Sequence, residues 1–245
     1  PSVRRDMLPI VKRCLDRQIF QDFEWIVVGS EEVREITNLQ SPFSIRSGNK
    51  SYYFIQEPPK REGDYYSLNK AWNLAFSRAN GELIVSIVDG LWFPPNTLEV
   101  LWQYYQRDPL SCVSFAGHHY DKVDHNKPEH LVWTDPKITN SGTFDEISPW
   151  DFELCIASLP LKGIKDVGGI DLEFDKFTDL SEKELAWRMS KIGYKFYIDQ
   201  SVQFRAIHYP KLNEEWDRKF PESTAYFQKC VKEIEQGTRL KLNYL

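Results

Sequence analysis

The sequence predicts an α/β domain built on a mostly parallel sheet with helices on its flanks. Three observations predict it. Short apolar runs alternate with amphipathic segments through the first half of the chain. The runs stop abruptly at glycine, proline or aspartate. One run is apolar on both faces, as a strand buried between two helical layers must be.

Each element follows from its residues. Met7 to Gln18 carries Met7, Leu8, Ile10, Val11 and Leu15 at helical spacing. Phe23-Glu24-Trp25-Ile26-Val27-Val28 is a β-rich run that stops at Gly29-Ser30. Ser51 to Ile55 predicts a second strand, ended by Glu57-Pro58-Pro59. Tyr66 to Arg78 places Leu68, Ala71, Trp72, Ala75 and Phe76 on one helical face, and Asn80-Gly81 stops it. Leu83 to Val88 is the doubly apolar run, read as a central parallel strand that ends at Asp89-Gly90. Pro94-Pro95-Asn96-Thr97 then opens a helix to about Tyr105. The first helix has no strand before it. A parallel sheet calls for one there, and we expect it upstream of Pro1.

The second half is less regular. Strands are predicted at Ser111–Ala116 and Phe152–Ser158, with long polar loops over 117–148 between them. Leu159 to Lys176 reads as a loop centred on Gly168-Gly169, and Leu180 to Ile192 as a helix stopped by Gly193. Short strands follow at Lys195–Ile198 and Val202–His208, then a charged helix over about Ser223–Gln236. The division expected is 1–110 for one half of the domain, 111–212 for the other, and a helical tail at 213–245.

Composition bounds the function. The chain has 245 residues, enough for one α/β domain with a real core. Its formal net charge of −5 is not the footprint of a duplex-binding protein. No apolar run is long enough to span a membrane, and the opening residues do not read as a signal peptide. Cys14, Cys112, Cys155 and Cys230 lack CxxC spacing, so reduced thiols and a cytoplasmic setting are expected, with a peripheral place on a membrane left open. Eight Trp suit a sugar-stacking surface and suit an aromatic core equally well.

Ligands in open α/β sheets sit beyond the carboxyl ends of parallel strands. The loops at Gly29–Glu32, Glu57–Asp64 and Asp89–Pro94 fall there. Asp89 follows a buried strand and offers a hard oxygen to Mg²⁺ or Mn²⁺; an Asp before Gly is also an ordinary turn. Gly168-Gly169-Ile170-Asp171 feeds a helix whose first turn carries acids, where a carboxylate can act as a general base. The same stretch fits a capping box, with Asp179 as N-cap and Glu182 three residues into the helix. His208 can complete a metal shell or be structural. His118-His119-Tyr120-Asp121 lacks metal spacing, and its neighbours point to opposite faces of a strand.

Taken in order, these features resemble the inverting family 2 glycosyltransferases of the GT-A fold. The residues that carry the resemblance are Arg4-Arg5-Asp6-Met7-Leu8-Pro9, Leu15 and Gln18, then Phe23 to Val28. They continue with Asn69, Ala71, Ala75, Ala79, Gly81-Glu82-Leu83-Ile84, Asp89 and Pro94-Pro95. Gly168-Gly169-Ile170-Asp171, Glu182, Glu184-Leu185, Arg188, Gly193 and His208 close the set. The match runs from about Arg4 to His208.

The resemblance implies a Rossmann-like, mostly parallel central sheet with a smaller mixed acceptor-side region. It implies transfer of a sugar, with inversion, from a nucleotide sugar (UDP favoured) to an acceptor hydroxyl. The acceptor stays open among a glycan, a lipid-linked glycan, a protein, a small molecule and a modified nucleic-acid base. Gly29, Ser30, Glu31, Lys60, Asn69, Gly168, Gly169 and Asp171 would bind substrate. Asp89 and His208 would hold Mn²⁺ or Mg²⁺. Glu182 would be the base, with Asp179 as fallback, and Lys60, Arg61 or Arg46 would supplement the positive charge. The chain departs from the family at three points. Gly29 stands where a base-contacting acid is usual, Asp89 is the one acid left of a metal motif, and Glu182 replaces Asp. That thinning motivates a second reading, an inactive GT-A domain that binds a nucleotide sugar or glycan. A nucleotidyltransferase would want a glycine- and lysine-rich phosphate loop near the amino terminus, and none is present.

Overall fold

In a computed structural model, residues 7–30, 45–47, 50–124, 127–139, 143–177, 179–207 and 214–245 are described. The elements in chain order are α1 (Leu8–Asp16), β1 (Glu24–Gly29), β2 (Ile45–Ser47), β3 (Lys50–Gln56), α2 (Leu68–Arg78), β4 (Leu83–Ile87), β5 (Leu91–Trp92) and α3 (Thr97–Arg107). They continue with β6 (Ser111–Asp124), β7 (Lys127–Thr134), β8 (Phe144–Ile147), β9 (Ile156–Pro160), α4 (Leu161–Asp166), a 3₁₀ turn (Leu172–Lys176), α5 (Ser181–Lys191), β10 (Lys195–Ile207) and α6 (Glu214–Glu235). Among the described residues no helix is long and apolar enough to cross a membrane.

The helices and strands expected as far as Tyr105 are present, but the sheet is not mostly parallel. The strands form a three-stranded sheet, ordered β1-β3-β2, and a seven-stranded one along β4-β9-β6-β10-β5. Only β1 with β3 and β6 with β10 run parallel; the other pairings are antiparallel. The run read as a central strand, β4, pairs with β9 alone among the described residues. Its two apolar faces have another cause. Ile84 packs with Phe76 of α2 on one side, while Leu83, Val85 and Ile87 pack with Val11, Leu15 and Leu98 of α1 and α3 on the other. Helical layers on both faces demand apolar residues whether or not a strand lies on each side.

The expected loops over 117–148 contain the end of β6 with β7, an antiparallel pair whose solvated side hides its pattern, and β8, which pairs antiparallel with β10. Leu131, Val132 and Trp133 of β7 are exposed. His118 and His119 do face opposite ways. The ring of His118 bonds Thr134 and Gln203, while His119 meets the Trp133 ring edge-on. The expected loop at Leu159–Lys176 holds α4 and the 3₁₀ turn. The two short strands at Lys195–Ile198 and Val202–His208 are one long strand, β10, with a register shift between Asp199 and Phe204.

Two buried side chains join distant segments. Gln18 donates to the Pro94 carbonyl at 2.8 Å and accepts from the Leu98 amide at 3.0 Å, so it caps α3 from the end of α1. Asp175, from the 3₁₀ turn, accepts from the amides of Asn69 (2.8 Å) and Lys70 (3.2 Å) and caps α2. Burial pushes its carboxyl up to about 6.

Candidate active site

The opening of α5 brings two acids together. Leu180, buried and with φ of 78°, sits in the left-handed region that a side chain rarely adopts. The reversal lets Asp179 accept from the Leu180 amide at 2.7 Å just ahead of the helix, which starts at Ser181. The expected capping box does not form. Leu180, not Asp179, holds the N-cap position, and Glu182 is second rather than third in the helix. The Asp179 and Glu182 carboxyls instead hydrogen-bond each other.

Burial raises the proton affinity of both acids, and their mutual repulsion raises that of Glu182 further. Lys183, buried beside them, offsets this in part. Its ammonium donates to the Phe152 carbonyl at 2.9 Å and lies 3.7 Å from Glu153. Glu153 in turn accepts from Lys137 at 2.8 Å. The negative charge of Asp179 and Glu182 also helps hold the Tyr66 phenol protonated, after burial. Sequence reading did not single out Tyr66, Glu153 or Lys183. Lys183 stands inside the Glu182–Glu184 run, and only its burial on a charged helix end marks it.

The Asp89 turn lies next to this cluster through backbone pairing. The Val88 amide donates to the Cys155 carbonyl at 3.1 Å, and the Cys155 thiol, pushed up to about 12 by burial and then by Glu153 and Glu182, belongs to the same neighbourhood. Gly90 makes the turn with φ of 78°, and its carbonyl accepts from the Ile207 amide at 3.2 Å. His208 and Glu31 lie outside the described residues.

Among the residues expected to bind substrate, Gly29 ends β1 opposite Gln56 and its carbonyl accepts from the Glu57 amide at 2.9 Å. The Ser30 hydroxyl is buried with no protein partner, and so are both ends of the Asn69 amide, in a residue 0% exposed. Buried polar atoms normally have partners, so orphans at expected binding residues favour a missing ligand or water. Lys60 donates to the Tyr65 carbonyl at 2.8 Å, and Arg61 bonds Asp64 and the Leu172 carbonyl. Lys60 therefore braces its own loop, and Arg61 ties that loop to the 3₁₀ turn. Arg46 is placed only as part of β2.

Gly168, Gly169 and Asp171 gather elsewhere, against the C-terminal tail. Asp171 accepts from the hydroxyls of Tyr226 (2.8 Å) and Tyr244 (3.3 Å) and pairs with Arg239. Arg239 also pairs with Glu184 at 3.0 Å, and Glu184 with Arg188 at 2.7 Å. Asp171, Glu184 and Cys230 lie close enough to suggest a metal cluster, but two guanidinium groups already neutralise the carboxylates and leave no charge for a cation. A Cβ on Gly168 would collide with the Leu242 carbonyl oxygen, and φ there is 78°. Gly168→Ala is therefore expected to break the tail's bonds, Leu242 amide to Val167 carbonyl (2.9 Å) and Tyr244 amide to Gly168 carbonyl (3.3 Å), besides about 1–2 kcal/mol of backbone strain. A lower Tm with new protease cleavage at the tail would show it; wild-type Tm and resistance would refute it.

Comparison with solved structures identifies the architecture. S. aureus TarS in complex with UDP-GlcNAc superposes with a TM-score of 0.64 at 11% identity, over 94% of this chain and 63% of that one. The fold is GT-A. The TarS complex with UDP gives 0.61 at 12% identity, covering 94% and 62%. GalNAc-T7 with UDP, GalNAc and Mn²⁺ gives 0.48 at 11% identity, covering 74% and 38%. The chain thus spans less than two thirds of the TarS chains it matches. No family model and no curated protein sequence matches it.

Proposed function

We propose that this GT-A chain transfers a sugar, with inversion, from a UDP-sugar to an acceptor hydroxyl, with Glu182 as the base. The observation that carries this reading is the hydrogen-bonded Asp179–Glu182 pair, whose raised proton affinity suits Glu182 to take up a proton. Binding of UDP and UDP-GlcNAc by TarS, which has the same fold, supports the donor class. Residues 1–110 would bind the donor and 111–212 the acceptor and carry the catalytic acids, with 213–245 a helical tail.

In this reading the acceptor hydroxyl attacks the anomeric carbon from the side opposite the diphosphate. Glu182 takes the hydroxyl proton as the new C–O bond forms. The bond to the diphosphate breaks, and the leaving group departs with its electron pair. Asp179, beside Glu182, holds it in place. Ser30 and Asn69 offer their unpartnered polar atoms to the donor.

The residues at the Asp89 turn fit a divalent cation. A hard carboxylate on a turn held by the Ile207 amide to Gly90 carbonyl bond is the kind of oxygen ligand that Mg²⁺ or Mn²⁺ takes. Asp89 and His208 would hold Mn²⁺ or Mg²⁺, whose charge would offset that of the leaving diphosphate. A thermal-shift screen of nucleotide sugars, with and without Mn²⁺, tests the donor, since a ligand of the native state raises Tm. The best donor then enters a transfer assay. Asp89→Asn is expected to abolish the metal dependence of activity at an unchanged Tm. Full metal-stimulated activity in that variant would remove the assignment. Binding without turnover by the wild type, whatever the acceptor, would favour an inactive binding domain.

A further inference from the structure

Lys183 is a buried cation that the transfer steps leave unused. A lysine on a charged helix end ordinarily carries its ammonium out into water. This one is 9% exposed. Its ammonium is held from the far side by the segment 152–155, whose carbonyls are bound one after another. Phe152 accepts from Lys183 at 2.9 Å. Leu154 accepts from the Ser86 hydroxyl, and Cys155 from the Val88 amide at 3.1 Å. The segment then continues into β9, which pairs with β4 from Ile156 onward. It therefore ties the start of α5 to the end of β4, one residue short of Asp89.

This lock decides where the charge stands. A lysine stem is flexible and its ammonium is free to swing. Here the Phe152 carbonyl keeps it between the Glu153 carboxylate, 3.7 Å away, and the Asp179–Glu182 pair. The other titratable groups that face the pair are acids. Glu153 and Cys155 come from the segment itself, and Tyr66 from the loop ahead of α2. Lys137 stands further out, paired with Glu153 at 2.8 Å and with Asp135 at 3.7 Å. α6 meets Asp179 through the Ser223 hydroxyl, which bonds the Asp179 carbonyl and carries no charge. A buried carboxyl with acids around it ionises readily only beside an opposite charge. A cation already fixed in place needs no rearrangement when that charge appears.

We propose that Lys183 is a positioning residue for the Glu182 base, its ammonium locked by the Phe152 carbonyl between Glu153 and the acid pair so that it balances the ionised carboxylate. This role rests on the reading of Glu182 as the base. The test follows the carboxyl signal of Glu182 by NMR across pH, in the 245-residue chain labelled at its glutamate carboxyls, with Glu182→Gln to assign the signal. Lys183→Met removes the cation and keeps an unbranched stem. Its Glu182 midpoint is expected to rise by about one pH unit or more. Lys183→Arg keeps the charge and should stay near the wild-type midpoint. Glu153→Gln removes the anion on the other side of the ammonium, so its midpoint should fall. The acid limb of kcat/KM should move with the signal, upward in Lys183→Met and downward in Glu153→Gln. A merely structural lysine gives no such pair of opposite shifts. Shifts of the same sign, or an unchanged midpoint in Lys183→Met, would overturn the proposal. Should Lys183→Met fail to fold, an unchanged midpoint in Glu153→Gln, whose side chain is 41% exposed, would overturn it alone. Opposite shifts in a protein that transfers no sugar would uphold the hold of Lys183 on Glu182 and count against Glu182 as a base.

Discussion

Replacing Glu182 by Gln is expected to lower turnover by roughly 10²–10⁴, the usual worth of a positioned base, while the protein stays folded. Gln keeps the shape and can donate a hydrogen bond to Asp179, so the contact between the two side chains survives. It cannot take up the acceptor's proton. Asp179→Asn should cost less activity, because Glu182 remains ionisable. Loss of activity in Asp179→Asn with full activity in Glu182→Gln would move the base to Asp179.

The pH dependence follows with its sign. The folded state holds Glu182's proton more tightly than the unfolded chain does. Between the ordinary glutamate range and that raised value the native state binds more protons, so stability falls as pH rises through the window. Activity runs the other way, since the base works only when Glu182 is deprotonated, and kcat/KM should rise through the same window. The Glu182→Gln variant should show a flatter stability slope there. A wild-type kcat/KM that levels off within the ordinary carboxylate range would contradict the assignment.

Replacing Arg188 by Ala is expected to cost the most stability, about 3–5 kcal/mol, the loss found when one partner of a buried ion pair is removed. The guanidinium is fully buried. It makes two bonds to Glu184, at 2.9 and 2.7 Å, and donates to the carbonyls of Val167 at 2.6 Å and Gly169 at 2.7 Å. Truncation opens a cavity and takes a donor from each carbonyl, leaving Val167 only the Leu242 amide, while Glu184 keeps only Arg239. Arg188→Lys should recover part of the loss, because an ammonium cannot make the bidentate pair. Urea denaturation of the two variants reads the difference; a loss below about 1 kcal/mol in Arg188→Ala would mean that α5 does not depend on this pair.

Arg188 was legible in the sequence as a motif position, yet its work was not. The spacing Glu184–Arg188 puts the two on one helical face. That the face is buried, and that Arg239 and Asp171 meet it there, depends on a tail folded back from some fifty residues away. Gly168 and Gly169 were equally plain as a glycine pair. The structure sets them against Leu242 and Asn73 rather than in an open loop.

By itself the sequence determined what rests on near neighbours along the chain. The alternation of strands and helices to Tyr105, the acid-rich start of α5 and the turn at Asp89-Gly90 all follow from periodicity, glycine and charge within a few residues. Tertiary structure alone decided which edges pair, and so made the sheet mixed and left β1 and β4 apart. An apolar run reports that its faces are covered, not which strands lie beside it, because backbone hydrogen bonds along an edge are blind to side-chain identity. The joining of Asp179 to Glu182 was likewise a tertiary decision. It needs Leu180 held at positive φ, a conformation unfavourable in isolation and kept because the leucine is buried against Phe174 and Phe227.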